Sequence, residues 1–294
     1  MPRRLSLSLD AVIVAVTAGE PRVLTTTQAV DGIPALPSGP LDSEIDATLE
    51  LGLRRWIAAQ TGLAVGYVEQ LYTFGDRDRS RDAGSTRHLS VCYLGLVKEA
   101  QPAPVAAWLN CYDILPWEDR RGRGPAIPVK TLSSLLERWA GKDAARQRRV
   151  VANFGSRGSW DPIRVLERYE LLYESQLVPE YQRDRGLPPQ PGPELGTELA
   201  YDHRRITATA LGRLRGKLKY RPVVFELLPE TFTLLQLQRT VEALTGMRLH
   251  KQNFRRLVAS GRFVEPTRTL ERPARGRPAK LFRFRREVVR TRLY

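Results

Sequence analysis

The stretch PETFTLLQLQRTVEALTGMRLHKQNFRRLVASG, residues 229–261, decides the fold of the C-terminal part of the chain. Its first half has a capping-box pattern at Thr233–Gln236, apolar residues at helical spacing after it, and a stop at Gly246. A second helix then begins within a few residues and ends at Gly261. Two short helices over 229–246 and 247–261 with a tight connection predict a helix-turn-helix. On the second helix, the residues predicted to point inward are Phe254, Leu257 and Val258.

The next stretch, FVEPTRTLERPARGRPAKLFRFR (263–285), predicts a strand, a basic turn and a returning strand. A hairpin beside a helix-turn-helix is a wing, and its tip, Arg275-Gly276-Arg277, is thin and doubly cationic, which suits a narrow minor groove. The alternative for the tip is a flexible turn with solvated arginines. Gln and Asn side chains suit adenine edges, Arg suits guanine, and any of them can hold phosphate. The predicted DNA-contacting residues are Lys251, Gln252, Asn253, Arg255, Arg256, Arg268, Arg275, Arg277 and Lys280.

The charge of the chain supports this prediction. The 294 residues include 47 Lys+Arg and 32 Asp+Glu, for a net charge of +15. Residues 221–294 hold 17 of the basic residues and 6 of the acidic ones, so most of the excess lies in the last quarter of the chain. Such a bias favours nucleic acid as the partner, with an anionic membrane as the second choice.

The few cysteines and histidines argue against metal and disulfide chemistry. Cys92 and Cys111 form no CxxC pair, and the three histidines are far apart in sequence. We therefore expect no metal, no cofactor and a reducing, cytoplasmic compartment. The basic and apolar start of the chain resembles a signal peptide, but Asp10 splits the apolar run. A hairpin over 9–26, turning at Gly19-Glu20-Pro21, is the better interpretation, and no stretch approaches transmembrane length.

The order of elements along the N-terminal part predicts a mixed α/β domain. After the hairpin come a helix over 43–61, strands over 64–74 and 88–97, and helices over 130–141 and 164–178. A Pro/Gly-rich break at 182–196 and an apolar-striped helix at 201–220 follow. The predicted divisions are an effector-sensing domain with a helical insertion (1–181), a linker (182–200), a linking and dimerisation helix (201–220) and a winged helix-turn-helix domain (221–294).

Within the first helix, LRRWIAAQTGL (53–63) has the frame of a catalytic motif without its acids. It resembles the end of the Nudix box, in which three glutamates at helical spacing hold Mg²⁺ for attack of water on a diphosphate. Arg55 falls on the box arginine and Gly62 on its closing glycine, whereas the glutamate positions fall on Trp56, Ala59 and Gln60. Glu44 and Glu50 lie on the same predicted helix and are available as substitute ligands. The alternative is a plain amphipathic helix with a glycine stop.

Further segments carry a more specific resemblance. They are GPLDSEIDATLELGLRRWIAAQTGL (39–63), YVEQLYTFGDRDR (67–79), YDHRRI (201–206), LGRLRGKLKYRPV (211–223), LLPETFTLLQLQ (227–238), LHKQNFRRL (249–257) and GRPAKLFRF (276–284). Together they resemble the Nudix-related transcriptional regulators of NAD metabolism (NrtR-type), in their divergent α-proteobacterial "NAD regulator" branch.

That resemblance implies an α+β chain in which a degenerate Nudix-like α/β/α sandwich is followed by a winged helix-turn-helix. It further implies a dimeric repressor of NAD-synthesis genes. The Nudix-like domain of such a regulator senses an ADP-ribose-type nucleotide without cleaving it, and ligand binding weakens DNA binding. The chain is therefore predicted not to be an enzyme.

Possible effector contacts are Tyr72, Phe74, Asp76 and Arg77, where a strand enters a polar loop. These residues are equally suited to be core aromatics and a turn. A two-fold dimer would read two half-sites of a palindromic operator in double-stranded DNA. Helix 201–220 is the candidate for part of the dimer interface, and the alternative is that its stripe packs on its own domain.

Two other functions remain open. One is a Nudix-type nucleoside diphosphate hydrolase with a basic tail that binds nucleic acid. The other is a non-specific adaptor for nucleic acid or a membrane surface, whose binding would ignore sequence and vanish with modest salt.

Overall fold

The computed structural model describes residues 5–27, 32–76, 87–122, 129–155, 160–218, 223–261, 263–271 and 278–285. The strands are β1 (Leu5–Thr17), β2 (Glu20–Thr26), β3 (Ser38–Pro40), β4 (Tyr67–Phe74), β5 (Arg87–Leu96), β6 (Ala106–Asn110), β7 (Thr231–Thr233), β8 (Val264–Glu271) and β9 (Ala279–Phe284). The α-helices are α1 (Leu49–Thr61), α2 (Cys111–Ile114), α3 (Val129–Ala140), α4 (Ala144–Phe154), α5 (Val165–Glu174), α6 (Glu180–Asp184), α7 (His203–Lys217), α8 (Leu234–Thr245) and α9 (Lys251–Gly261). In the described ranges, no helix is long and apolar enough to cross a membrane.

The main sheet has β1 at its centre, in the order β4-β5-β1-β2-β6, with β3 also paired to β1. Strands β1 and β5 run parallel, whereas β2 and β3 pair with β1 in the antiparallel sense. The hairpin of β1 and β2 was predicted correctly, except that its turn lies at Ala18-Gly19, so that Glu20 and Pro21 already belong to β2.

Helices cover both faces of this sheet. Leu9 and Ile13 of β1 pack on one face with Leu53 and Ile57 of α1. On the opposite face, neighbouring residues of β1 and β5 pack in a larger cluster that includes the apolar side of α7. Because side chains alternate between the two faces of a strand, β1 contributes residues to both clusters. The predicted α/β/α sandwich is confirmed.

Helix α1 is shorter than predicted. Residues 43–45 form a turn, and the helix begins only at Leu49 because the Thr48 side chain accepts a hydrogen bond from the Leu51 N–H and caps it. Ile45, which lies in this turn and not in the helix, is exposed. At the other end Gly62 has a φ of 70° and caps the helix as predicted.

Helix α7 is buried almost all round. Apolar residues such as Ile206, Leu211 and Leu214 are buried, and so are Arg204 and Arg215. The apolar stripe proposed for dimerisation is therefore occupied inside the chain, and the alternative of packing on its own domain is the one observed.

The segment predicted as the linker 182–200 also packs against its neighbours in part. Gln182 belongs to α6 and is buried, and Leu195 and Leu199 lie in the large apolar cluster. The Ala200 N–H donates to the Pro34 carbonyl at 2.9 Å. Only the middle of the segment, 185–194, is mainly exposed. The domain boundaries themselves stay a prediction.

The C-terminal part has the predicted pair of helices and a three-stranded sheet in the order β7-β9-β8. Thr233 and Gln236 form the predicted capping box, and Gly246 closes α8 with a φ of 69°. Phe254 is buried as predicted, but Leu257 is 69% exposed. Leu257 was placed inward wrongly, because the side of α9 that packs is narrower than its apolar pattern.

Candidate functional site

Helix α9 presents a polar and basic surface. Apart from Phe254 and Val258, the residues of its first two turns are exposed, among them the predicted DNA contacts Lys251, Gln252, Asn253, Arg255 and Arg256. Within the described ranges, no ion pair to a carboxylate is found for the basic members of this set. Their charges are therefore available for the edges of bases and for phosphate oxygens.

The hairpin of β8 and β9 extends this surface. Arg268 and Lys280 are exposed on its two strands. By contrast, Arg283 and Arg285 both pair with Glu265, which holds the pKa of that carboxyl below its usual value through hydrogen bonds from Arg283. Arg275 and Arg277, the predicted tip contacts, lie outside the described residues.

Glu242 fixes the turn between the two helices. Its Oε1 accepts hydrogen bonds from the Leu249 N–H at 3.0 Å and from Gln238 Nε2 at 2.9 Å, and Oε2 accepts one from Arg248 Nη1 at 3.2 Å. Burial raises the pKa of Glu242, but these hydrogen bonds outweigh it and the pKa lies below its usual value. This role of Glu242 was not predicted from the sequence, although an acid on the apolar side of α8 was a signal for it.

The residues that align with the Nudix box make contacts that hold the fold together. Gln60 holds the backbone of Ser38 with two bonds, accepting from its N–H at 3.0 Å and donating to its carbonyl at 2.8 Å. Trp56 Nε1 donates to the Pro40 carbonyl at 2.9 Å, and a Cβ at Gly39 would lie 2.1 Å from the Trp56 ring. Trp56 and Gln60, which stand at two of the glutamate positions, thus hold α1 against β3. Ala59, at the third position, is exposed.

The neighbouring charges are also engaged. Arg55 donates to both carboxylate oxygens of Asp46, at 2.9 and 2.7 Å, and lowers the pKa of that carboxyl. Glu50 pairs with Arg54, and Glu44 lies in the turn before the helix and not on it. Among the described residues, no group of three or more His, Cys, Asp and Glu side chains could hold a metal ion.

The predicted effector residues lie together at the end of β4. Tyr72 is 61% exposed, and its ring meets the edge of Phe74 with 5.2 Å between centroids. Phe74 is buried beneath the Arg205 guanidinium of α7, which also pairs with Asp76. Phe74 is thus a core aromatic, the alternative considered above, and Tyr72 alone of the described members offers an open ring. Arg77 lies outside the described residues.

A buried polar chain fastens the start of α7 to β1. The Leu36 N–H donates to His203 Nδ1 at 2.9 Å, so the proton of the neutral imidazole is on Nε2, which lies 3.2 Å from Asp10 Oδ1. Ser8 Oγ donates to Asp10 Oδ2 at 2.7 Å. Asp10 was recognised only as a break in an apolar run, and its partner lies 193 residues away in sequence.

Comparison with known proteins agrees with this architecture. Residues 224–284 match the family model of the NrtR DNA-binding winged helix domain. This chain is 38% identical, over 90 residues or 31% of its length, to the ADPR responsive transcriptional repressor NtrR of Acinetobacter baylyi. That match spans only 36% of the relative's length.

Solved structures are similar over nearly the whole chain. Shewanella oneidensis NrtR complexed with a 27mer DNA matches with a TM-score of 0.61 and 22% identity, covering 97% of this chain and 95% of that one. A MutT/nudix family protein from Enterococcus faecalis matches with a TM-score of 0.57 and 18% identity, covering 97% and 88%. These structural likenesses confirm the predicted fold, a Nudix-like sandwich followed by a winged helix. The match to the family model and the similarity to the Acinetobacter relative confirm the predicted resemblance to NrtR-type regulators.

Proposed function

We propose that this chain is a DNA-binding transcriptional repressor of NAD-metabolism genes, acting in the cytoplasm, whose Nudix-like half senses an ADP-ribose-like nucleotide. The observation that carries the proposal is the exposed basic face of α9 in a winged helix of the NrtR DNA-binding type. An exposed helix of this kind, with a hairpin beside it, is placed to enter a major groove while the hairpin holds the adjacent backbone. The description of the Acinetobacter relative as ADPR responsive supports the choice of nucleotide.

The DNA contacts we propose are the side chains named above. Lys251, Arg255 and Arg256 on α9 supply charge, Gln252 and Asn253 supply base-edge hydrogen bonds, and Arg268 and Lys280 supply the wing contacts. Arg275 and Arg277 complete the wing on sequence grounds alone. For the nucleotide, Tyr72 is the stacking residue and Asp76 and Arg77 are the polar contacts.

We further propose that the nucleotide is bound and not cleaved. Hydrolysis by a Nudix box needs carboxylates that hold Mg²⁺, and a neutral amide or an indole is no substitute for a hard cation. Trp56 and Gln60 also hold β3 in place, so their side chains are engaged even before a ligand arrives. A sensor that destroyed its ligand would erase its own signal.

A homodimer on a palindromic operator is part of this proposal. One winged helix makes few base contacts, whereas a two-fold pair reads half-sites separated by whole turns, about 34 Å or a multiple. Because the stripe on α7 is buried, we place the dimer contact elsewhere on the surface.

The test is a mobility-shift assay. The purified protein is used to select its preferred sequence, the selected duplex, from a library of random DNA duplexes. Its affinity for the selected duplex is then compared with its affinity for a scrambled duplex at fixed salt. Preferential binding that ADP-ribose weakens, and that ATP and NAD weaken less, supports the repressor. Equal binding to both duplexes, lost on a modest increase in salt, would instead indicate a non-specific adaptor. Magnesium-dependent release of AMP from ADP-ribose would establish the hydrolase and overturn the non-catalytic assignment.

A further inference from the structure

The end of helix α8, the first helix of the helix-turn-helix, is capped from outside the winged helix. A helix leaves its last four carbonyls without partners in the helix. Here the Tyr112 hydroxyl donates to the Ala243 carbonyl at 2.5 Å, and Arg215 Nε donates to the Leu244 carbonyl at 2.9 Å. The Arg120 N–H donates to the Gly246 carbonyl at 2.7 Å. The partners of these carbonyls therefore come from the 112–120 segment and from α7.

Arg215 is the centre of this contact. It is fully buried, and its guanidinium also bonds the Glu118 carboxylate and, at 3.0 Å, the Pro162 carbonyl. Burial lowers the pKa of Arg215, but Glu118 outweighs it and holds the pKa above its usual value. A positive charge at the C-terminal end of α8 is favourable toward the helix dipole.

The turn itself is in close contact with the same segment. A Cβ at Gly246 would lie 2.3 Å from the Glu118 carbonyl, so only glycine fits there. Arg248 Nε donates to the Arg121 carbonyl at 2.9 Å. Since this turn sets the angle between α8 and α9, the direction of α9 depends on where residues 118–121 lie.

Helix α7 joins this contact to the candidate effector strand. Near its start Arg205 contacts Phe74 and pairs with Asp76, and at its end Lys217 pairs with Glu69 of β4. Arg215 is ten residues after Arg205, about 15 Å along the helix. One rigid element thus touches both β4 and the turn of the helix-turn-helix.

We propose that Tyr112 and Arg215 are positioning residues for DNA recognition, acting through the turn that orients α9. When β4 moves, helix α7 transmits that movement to the turn. This inference rests on the proposed function, because it needs sequence-specific DNA binding by the winged helix.

The experiment compares Tyr112→Phe with Tyr173→Phe in the full chain. Both tyrosines are buried, but the Tyr173 hydroxyl donates to Asp184 at 3.0 Å, away from the winged helix. Affinities for the selected duplex and for a scrambled duplex are measured at a temperature at which circular dichroism shows all proteins folded. We expect the ratio of the two affinities to fall about fivefold for Tyr112→Phe, the effect of one hydrogen bond, and to stay at the parent value for Tyr173→Phe. A simple loss of folded protein lowers both affinities together and leaves the ratio unchanged.

A second measurement uses the parent protein alone. Hydrogen exchange of peptides spanning 234–250 should change when ADP-ribose is added, and this readout decides the matter if Tyr112→Phe does not fold. An unchanged affinity ratio in a folded Tyr112→Phe, or unchanged exchange in a parent whose DNA binding responds to ADP-ribose, overturns the inference. A parent that does not prefer its selected duplex refutes the proposed function instead, so the two failures are distinct.

Discussion

Replacing Glu118 by glutamine should destabilise the whole chain, because this one carboxylate is the ion-pair partner of two buried arginines. Glu118 is fully buried, and Arg168 bonds it in a bidentate way, with Nη2 to Oε2 at 2.8 Å. Arg215 bonds the same carboxylate from α7. The variant Glu118→Gln keeps the volume of the side chain but leaves two guanidinium charges facing a neutral amide.

The expected cost follows from that geometry. Removing one partner from a buried ion pair costs about 3–5 kcal/mol. That is a large part of the roughly 5–15 kcal/mol by which domains are stable. At about 2–4 °C per kcal/mol, the midpoint of thermal unfolding should fall by roughly 10 °C. Arg168 also lies over the Trp160 ring at 3.8 Å, a contact that the substitution leaves in place.

The assay is thermal and urea unfolding followed by far-ultraviolet circular dichroism. The matched control is Glu174→Gln, which removes a carboxylate paired with Arg149 where both side chains are more than 40% exposed. An exposed pair of this kind contributes about 0–1 kcal/mol, so the control should unfold near the parent. If the free energy of unfolding of Glu118→Gln also lies within about 1 kcal/mol of the parent's, the two ion pairs of Glu118 do not stabilise the chain.

Three further predictions concern the winged helix and the core. Arg255→Ala should weaken binding to the selected duplex by about 1–3 kcal/mol in titrations at fixed salt, whereas Arg138→Ala, on α3, should bind like the parent. Equal affinities of Arg255→Ala and the parent would reject the assignment of Arg255. Because the pKa of Glu242 lies below its usual value of 4.5, its contribution is present above pH 4.5 and is lost as the pH falls through the folded-state pKa. The free energy of unfolding, from urea titrations followed by circular dichroism at several pH values, should therefore fall more steeply below pH 4.5 for the parent than for Glu242→Gln, and parallel pH profiles would contradict this. Burial raises the pKa of the Cys111 thiol to about 12, and Cys92 is buried too. Iodoacetamide at about pH 8, close to the pKa of a free thiol, should therefore label neither cysteine in the native protein. Rapid labelling without denaturant, seen by mass spectrometry, would show that this part of the core opens.

The winged helix was predictable because its signals are local. The cap at Thr233, the stop at Gly246 and the basic residues of α9 all act within a few residues of where they stand. What sequence analysis missed is the third strand, β7, which is three residues long and is held only by pairing with β9. A strand so short has too little pattern to detect.

The Nudix-like half was predictable in outline and not in its polar contacts. The spacing of apolar residues indicated α1, but its start depends on Thr48, and Arg55 is held by Asp46 from the turn before it. The partners of Asp10 and Arg215 lie far away in sequence, as His203 and Glu118. A periodic apolar stripe shows that a helix is buried on one side, but it gives no measure of how many charged side chains are buried with it.

The close approach of Gly246 to Glu118 has a consequence for protein engineering. DNA-binding modules are often transplanted to new sensors on the assumption that each folds as a closed unit. Here a graft that began at the first residue of the winged helix would leave the carbonyls of Ala243, Leu244 and Gly246 without their donors. A working chimera needs a tyrosine hydroxyl, an arginine and a backbone N–H at the same places. Either the recipient protein supplies these three donors, or the graft begins upstream of residue 112 and brings them with it.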